Sequence, residues 1–272
     1  MSESESKVKS KIDFDHFENG FKEGFLKYED SVKTRKGCLR FPVGSSQLEL
    51  LFEPNSTLPN PNGGPEWISE ERYLFGNFSC SMKAARCAPE EECVSSFYTY
   101  FHDDDSNANS SEIDIEILGS EPENIYLTIW THADAENKKQ KRVTRVIDMR
   151  NGSFKETVLD PNGCLHRDHL FSPPEFPITG MFDFSFPDFD ASESFYEYTF
   201  EWRKDTIRYF IGIAGKQYLL WEFTNVFAIP VKASSLRANL WWTDVHWNCD
   251  KKAAAPTNEM IHRFDWVKYE SH

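Results

Sequence analysis

Glu112, Asp114 and Glu116 occupy every second position of Ser111-Glu-Ile-Asp-Ile-Glu-Ile-Leu-Gly119, with Ile113, Ile115 and Ile117 between them. In an extended strand successive side chains point to opposite faces. The three isoleucines therefore turn into a core, and the three carboxyl groups stand in a row on the other side. Like charges on one sheet face cost stability, and strands disfavour Asp and Glu. A strand that carries three is expected to use them. The chemistry that needs such a row is cleavage of a glycosidic bond, which takes one ionised and one protonated carboxyl on either side of the bond. Crowding raises the pKa of at least one member and keeps an acid available near neutral pH. Positions i and i+4 of a flat strand lie ~13 Å apart at Cα. A retaining mechanism brings the two carboxyls to ~5–5.5 Å, so the Glu arms must lean together over the shorter Asp.

The elements that hold this row read as strands. Leu48–Phe52, Phe78–Lys83, Val94–Phe101, Ile125–Thr131 and Leu236–Thr243 are β-forming stretches between turn signals, as is Ile261–Tyr269. Thr206–Ile213 and Tyr218–Phe223 read as a hairpin around Ala214-Gly215-Lys216. The Pro, Asn and Gly of residues 54–67 and the Pro, Phe and Asp of residues 171–190 read as long loops. Phe14, Phe17, Phe21 and Phe25 have helical spacing, against which Gly20 and Gly24 count, so that stretch is ambiguous. Many short strands and almost no helix signal predict an all-β protein, a β-sandwich or jelly roll. Residues 1–12 are expected to be a disordered tail and residues 13–272 a single domain.

The net charge of −14 argues against nucleic acid and anionic membrane surfaces as partners. No apolar run approaches the ~18 residues of a membrane-spanning helix. Twenty-three Phe, ten Tyr and eight Trp leave aromatic faces for a flat ligand after a core is filled. No CxxC pair occurs among the six cysteines, and Cys87 and Cys93 are close enough to staple a loop where the compartment oxidises them. The first residues lack the apolar centre of a signal peptide. Asn55, Asn77, Asn109 and Asn151 open glycosylation sequons. Asp103, Asp105 and Asn107 imitate the start of an EF-hand loop, but Ala108 replaces its glycine and the acidic strand claims its last position. Cys164, His166 and His169 have zinc-like spacing without a fourth ligand.

Around the acidic strand the chain resembles glycoside hydrolase family 16, and within it the licheninase-type β-glucanases. Tyr73-Leu-Phe-Gly76, Ser81-Met-Lys83, Val94-Ser-Ser-Phe-Tyr-Thr-Tyr100, Glu112-Ile-Asp-Ile-Glu-Ile-Leu-Gly119, Phe200-Glu-Trp202, Asn239-Leu-Trp241 and Phe264-Asp-Trp-Val-Lys-Tyr269 follow the family's order. The resemblance covers about residues 73–270. It implies a jelly roll of two stacked antiparallel sheets with substrate in a concave cleft. It also implies that Glu112 is the nucleophile and Glu116 the general acid/base, with Asp114 hydrogen-bonded to the nucleophile.

Tyr98, Tyr100, Trp130, Asn239 and Trp241 are then candidate sugar contacts, since sugar C–H faces stack on flat aromatics. Trp202, Trp247 and Trp266 are assigned to the core. Ser79 stands where licheninases carry a substrate-contacting Glu, Thr128 and Trp130 replace an Asn and a Tyr, and Ser110 replaces a Trp. The resemblance further implies a secreted protein that needs no cofactor for catalysis. A structural Ca2+ is expected at Asp265, within the terminal Phe-Asp-Trp motif. The expected activity is that of a monomeric retaining endo-β-glucanase on β-1,3-1,4- or β-1,3-glucan. The alternatives are a transglycosylase of cell-wall β-glucan and a non-catalytic carbohydrate-binding module.

Overall fold

The computed structural model describes residues 11–28, 39–52, 63–101, 111–131, 141–159, 178–226, 228–247 and 252–272. These residues form two antiparallel sheets. One has eight strands: β1 (Ile12–Asp15), β3 (Leu39–Arg40), β4 (Leu48–Phe52), β6 (Gly76–Lys83), β13 (Tyr196–Trp202), β14 (Ile207–Ile213), β15 (Lys216–Phe223) and β17 (Met260–Glu270). The other has nine: β2 (Leu26–Tyr28), β5 (Glu66–Tyr73), β7 (Cys93–Phe101), β8 (Ser111–Leu118), β9 (Asn124–Thr131), β10 (Lys141–Asp148), β11 (Ser153–Leu159), β12 (Ile178–Met181) and β16 (Ser234–Trp242). Its order is β12-β11-β10-β9-β8-β7-β16-β5-β2, which puts the acidic strand at the centre. The expected jelly-roll β-sandwich is the observed fold, and no α-helix occurs among the described residues.

Alternation in β8 falls as the sequence predicts. Ile113, Ile115 and Ile117 are buried in the layer between the sheets. The opposing layer comes from β6, β13 and β14, where Phe78 stacks on Phe200 at 4.9 Å. Phe97 of β7 meets Phe200 across the sandwich at 5.8 Å, and Trp67 of β5 meets Phe264 edge-on at 5.6 Å. Tyr209 of β14 donates a hydrogen bond to the Thr128 carbonyl at 3.0 Å, tying the two sheets together behind the acidic row. Burial of this aromatic layer supplies the main force holding β8 flat against the core.

Several expectations change. The 14–25 segment is no helix: β1 pairs with β17, and Phe17 and Phe25 are buried. Residues 1–10 of the expected tail lie outside the described residues, and β1 begins at Ile12. Residues 66 and 67, read as loop, open β5. The loop read over residues 171–190 contains β12, and Phe182, Phe184 and Phe186 pack against the core. Trp202 is buried as expected, but Trp266 is only half-buried, beside Phe14 at 6.1 Å on the outside of the sheet. The sequon residue Asn77 lies within β6 and Asn151 in an exposed turn. Asn55, Asn109, the EF-hand-like residues 103–107 and the Cys164, His166 and His169 group lie outside the described residues.

Ile115 packs against the core directly behind the acidic row. Ile115→Ala is expected to lower folding stability by roughly 2–5 kcal/mol, read as a lower urea midpoint at unchanged slope.

Candidate active site

Residues directly opposite one another on neighbouring strands share a face. The pairing of β7, β8, β9, β10 and β16 therefore defines the wall of a site row by row. Glu112 is flanked by Tyr100 and Trp130, with Arg142 beyond Trp130. Asp114 is flanked by Tyr98 and Thr128, with Arg237 and Thr144 one strand further out. Glu116 is flanked by Ser96 and Tyr126, with Asn239 beyond Ser96. All these residues lie on the face away from the core.

The three carboxyls are close enough to act on one another. Asp114, 3% exposed, hydrogen-bonds to Glu112, and Ser96 donates to Glu116 Oε1 at 3.4 Å. Burial pushes the Glu112 carboxyl up to about 8, reinforced by the charge of Glu116 and opposed by Arg142 and Arg237. Burial pushes Glu116 up to about 7, opposed by Arg142 and the Ser96 hydroxyl. Burial, then the charges of Glu112 and Glu116, push Asp114 well above the usual carboxylate range. The row thus retains protons at neutral pH, as the sequence predicts. The higher value falls on Glu112, the reverse of what a nucleophile needs. The Asp114–Glu112 hydrogen bond offers the remedy. A proton held on Asp114 leaves Glu112 ionised, and the two arginines favour that charge.

Of the candidate sugar contacts, all five lie on this face, with different surroundings. Tyr98 is nearly buried and donates its hydroxyl proton to the Glu66 carboxylate. Asn239 Nδ2 donates to the same hydroxyl at 3.2 Å, and Arg237 pairs with Glu66 Oε1 at 3.2 Å. These four side chains form a polar floor. Tyr100 carries the Arg237 guanidinium over its ring at 5.2 Å, and Trp130 carries that of Arg142 at 4.9 Å. Such cation–π contacts fix each guanidinium beside the acidic row. Arg142 Nε also donates to Thr144 Oγ1 at 3.3 Å, and Thr144 exchanges a hydroxyl hydrogen bond with Thr128 at 3.1 Å.

Trp241 stands past Glu116, with Trp247 6.1 Å away. Trp247, assigned to the core from sequence, is half-buried and meets Tyr126 edge-on at 5.3 Å. It belongs to an aromatic group at one end of the site. His246, its neighbour, pairs at 3.0 Å with the buried Glu92, which also accepts the Ser120 hydroxyl at 3.0 Å.

Sequence reasoning missed Glu66, Ser96, Tyr126, Arg142, Arg237 and Trp247. For Arg237 a signal existed: Arg237, Asn239 and Trp241 alternate with Leu236, Ala238 and Leu240. The Ser79 departure does not touch this site. Ser79 lies on the outer face of the other sheet and accepts the Thr199 hydroxyl at 2.9 Å. Thr128 and Trp130 do line it, while Ser110 lies outside the described residues. Asp265 sits half-buried at a bulge of β17, away from the cleft. Among the described residues no group of three His, Cys, Asp or Glu side chains is arranged to hold a metal ion, so a cation at Asp265 would rest on one carboxylate and main-chain oxygens.

A carboxyl row at the centre of a jelly-roll sheet, edged by aromatics, has recognisable relatives. The family model for glycosyl hydrolases family 16 matches residues 30–152. A β-glucanase of Brevibacillus brevis is 27% identical over 230 residues, covering 82% of this chain and 66% of that protein. The endo-1,3-1,4-β-glycanase ExoK of Rhizobium meliloti (strain 1021) is 24% identical over 197 residues, covering 72% of this chain and 54% of that protein. The solved structure of Bacillus licheniformis β-glucanase matches with a TM-score of 0.63 at 19% identity, covering 95% of this chain and 97% of that one. The chain is thus similar to family 16 glycosyl hydrolases over residues 30–152 and to β-glucanases over most of its length, and it shares their fold.

The raised carboxyls carry a stability consequence. Between the ordinary Glu value of 4.5 and about 8 the folded Glu112–Asp114 pair holds a proton that the unfolded chain has released. Its contribution is complete below the unfolded value and is lost as pH rises through the folded one. The wild type should therefore lose stability relative to Glu112→Gln across that window, by at most about 1.4 kcal/mol per pH unit for one proton. Urea titrations of both proteins at several pH values would read it, and parallel curves would contradict it.

Proposed function

We propose that the chain is a retaining endo-β-glucanase that hydrolyses β-1,3-1,4- or β-1,3-linked glucan by double displacement. The observation that carries this reading is the row Glu112, Asp114 and Glu116 on the face of the central strand that points away from the core, with Asp114 bonded to Glu112 and protons retained near neutrality. The β-glucanase relatives support the substrate class.

In the first step a Glu112 carboxylate oxygen attacks the anomeric carbon while Glu116 gives its proton to the departing glycosidic oxygen. In the second, Glu116 takes a proton from water, whose oxygen displaces Glu112 and restores the original configuration. Asp114 holds the proton that would otherwise neutralise Glu112. Arg142 and Arg237 stabilise the attacking charge. Tyr100, Trp130 and Trp241 contact the sugar, while Tyr98 and Asn239 set the floor beneath it. The scheme uses side chains alone, and the protein is read as a secreted monomer.

A second reading is a transglycosylase with the same carboxyls. The cluster of Tyr126, Trp241 and Trp247 beyond Glu116 favours it, because aromatic faces there can hold an acceptor sugar in place of water.

Reducing-sugar release from barley β-glucan, lichenan, laminarin and xyloglucan, with products sized by chromatography, tests both readings. Shorter chains with new reducing ends are expected on one of the first three. Products both longer and shorter than the donor, with few new ends, would instead establish transfer. Glu112→Gln should lower turnover by roughly 10³-fold or more and keep oligosaccharide binding within a few-fold. Activity that survives this substitution would remove Glu112 from the nucleophile's role.

A further inference from the structure

Cys87 and Cys93 bracket the connection between β6 and β7 and converge on Gly119, the residue after the acidic strand. A Cβ at Gly119 would lie 2.4 Å from Cys93 Sγ and 3.0 Å from Cys87 Sγ, so both sulfurs press against one α-carbon. The two thiols hydrogen-bond to each other. The backbone locks the arrangement: Cys87 N donates to the Gly119 carbonyl at 3.1 Å, and Gly119 N donates to the Cys93 carbonyl at 2.8 Å. Cys93 is buried and Cys87 is partly accessible.

The short loop between them organises one end of the site. Glu91 accepts hydrogen bonds from Thr257 N at 2.8 Å and Thr257 Oγ1 at 2.6 Å. Glu92 holds Ser120 and His246, and His246 leads into Trp247. Covalent closure of residues 87–93 would fix the loop that anchors Trp247 beside Tyr126 and Trp241.

We propose that Cys87 and Cys93 are a redox modification site that closes to an intraloop disulfide with a low-molecular-weight disulfide as oxidant. The more accessible Cys87 thiol loses its proton, and its sulfur attacks one sulfur of the oxidant. The oxidant's S–S bond breaks, and one of its halves leaves as a thiol. The Cys93 sulfur, losing its own proton, then displaces the second half from Cys87. Two protein thiols become one disulfide, and the oxidant becomes two thiols. The buried position of Cys93 suits it to this resolving role, because attack from solvent reaches Cys87 first.

The test uses the full chain, reduced and then incubated with oxidised glutathione. Remaining thiols are blocked with N-ethylmaleimide after unfolding, and the peptides are mapped by mass spectrometry. Cys87 and Cys93 are expected to escape blocking together, linked to each other with the loss of two hydrogens. The oxidised protein should melt roughly 5 °C above the reduced one, and Cys87→Ser should abolish that rise. Blocking of both residues after oxidation would overturn the proposal. So would glutathione retained on Cys87, or pairing of either residue with Cys38, Cys164 or Cys249. Should Cys87→Ser fail to fold, the wild-type pairing map decides alone. None of these outcomes depends on whether the cleft hydrolyses glucan.

Discussion

Three carboxyl groups held on one face of one strand, partly out of water, form the constraint to which the rest of the molecule answers. Isolated in solution such a strand would repel itself and turn its acids to solvent. Here the opposite face of the same strand is a run of isoleucines sealed against Phe97, Phe200 and Tyr209. Apolar burial on one side thus offsets desolvation on the other. The position of β8 at the middle of nine strands removes the alternative of swinging an edge away from the core.

Charge balance is arranged across neighbouring strands. Arg142 and Arg237 approach the row from opposite sides, each laid on an aromatic ring. Glu66 takes up part of the charge of Arg237. A guanidinium held beside the row lowers the cost of ionising a carboxyl. The polar floor formed by Tyr98, Asn239, Glu66 and Arg237 is continuous with this arrangement. A change at Arg237 would be felt at Glu66 as well as at Glu112.

The acidic strand was legible because its period of two is unbroken and its two faces differ so sharply. Strands β7, β9 and β16 were legible as β-forming stretches between turn signals, and so was β4, although it is buried on both faces. Strand β10 was not: Arg145 lies on the inward face between Val143 and Ile147, where it stacks on Phe154 at 4.2 Å and pairs with Glu156 at 2.7 Å. That inward charge destroys the alternation, and with it the sign that Arg142 and Thr144 face the site. Strand β5 was hidden similarly. Ser69 is buried because its hydroxyl accepts the Leu236 N–H at 2.9 Å at a bulge, and Glu66, Glu70 and Glu71 give the stretch a loop-like composition. Trp247 was misassigned because a Trp in the turn beyond a strand looks like core until the neighbouring strands are known. What sequence conveys is the facing of residues within one strand. What it withholds is which strands become neighbours, and both arginines enter the site through that second kind of information.

The central place of β8 has a consequence for motion. Four strands flank it on either side within the nine-stranded sheet. Local opening of a sheet begins at edges and loops, and its centre is released only with the whole fold. The amides of β8 therefore belong to the slowest-exchanging class in the molecule. The carboxyl row cannot fluctuate apart from global unfolding, so any adjustment to a ligand falls to side-chain rotamers and to the loop that carries Trp247.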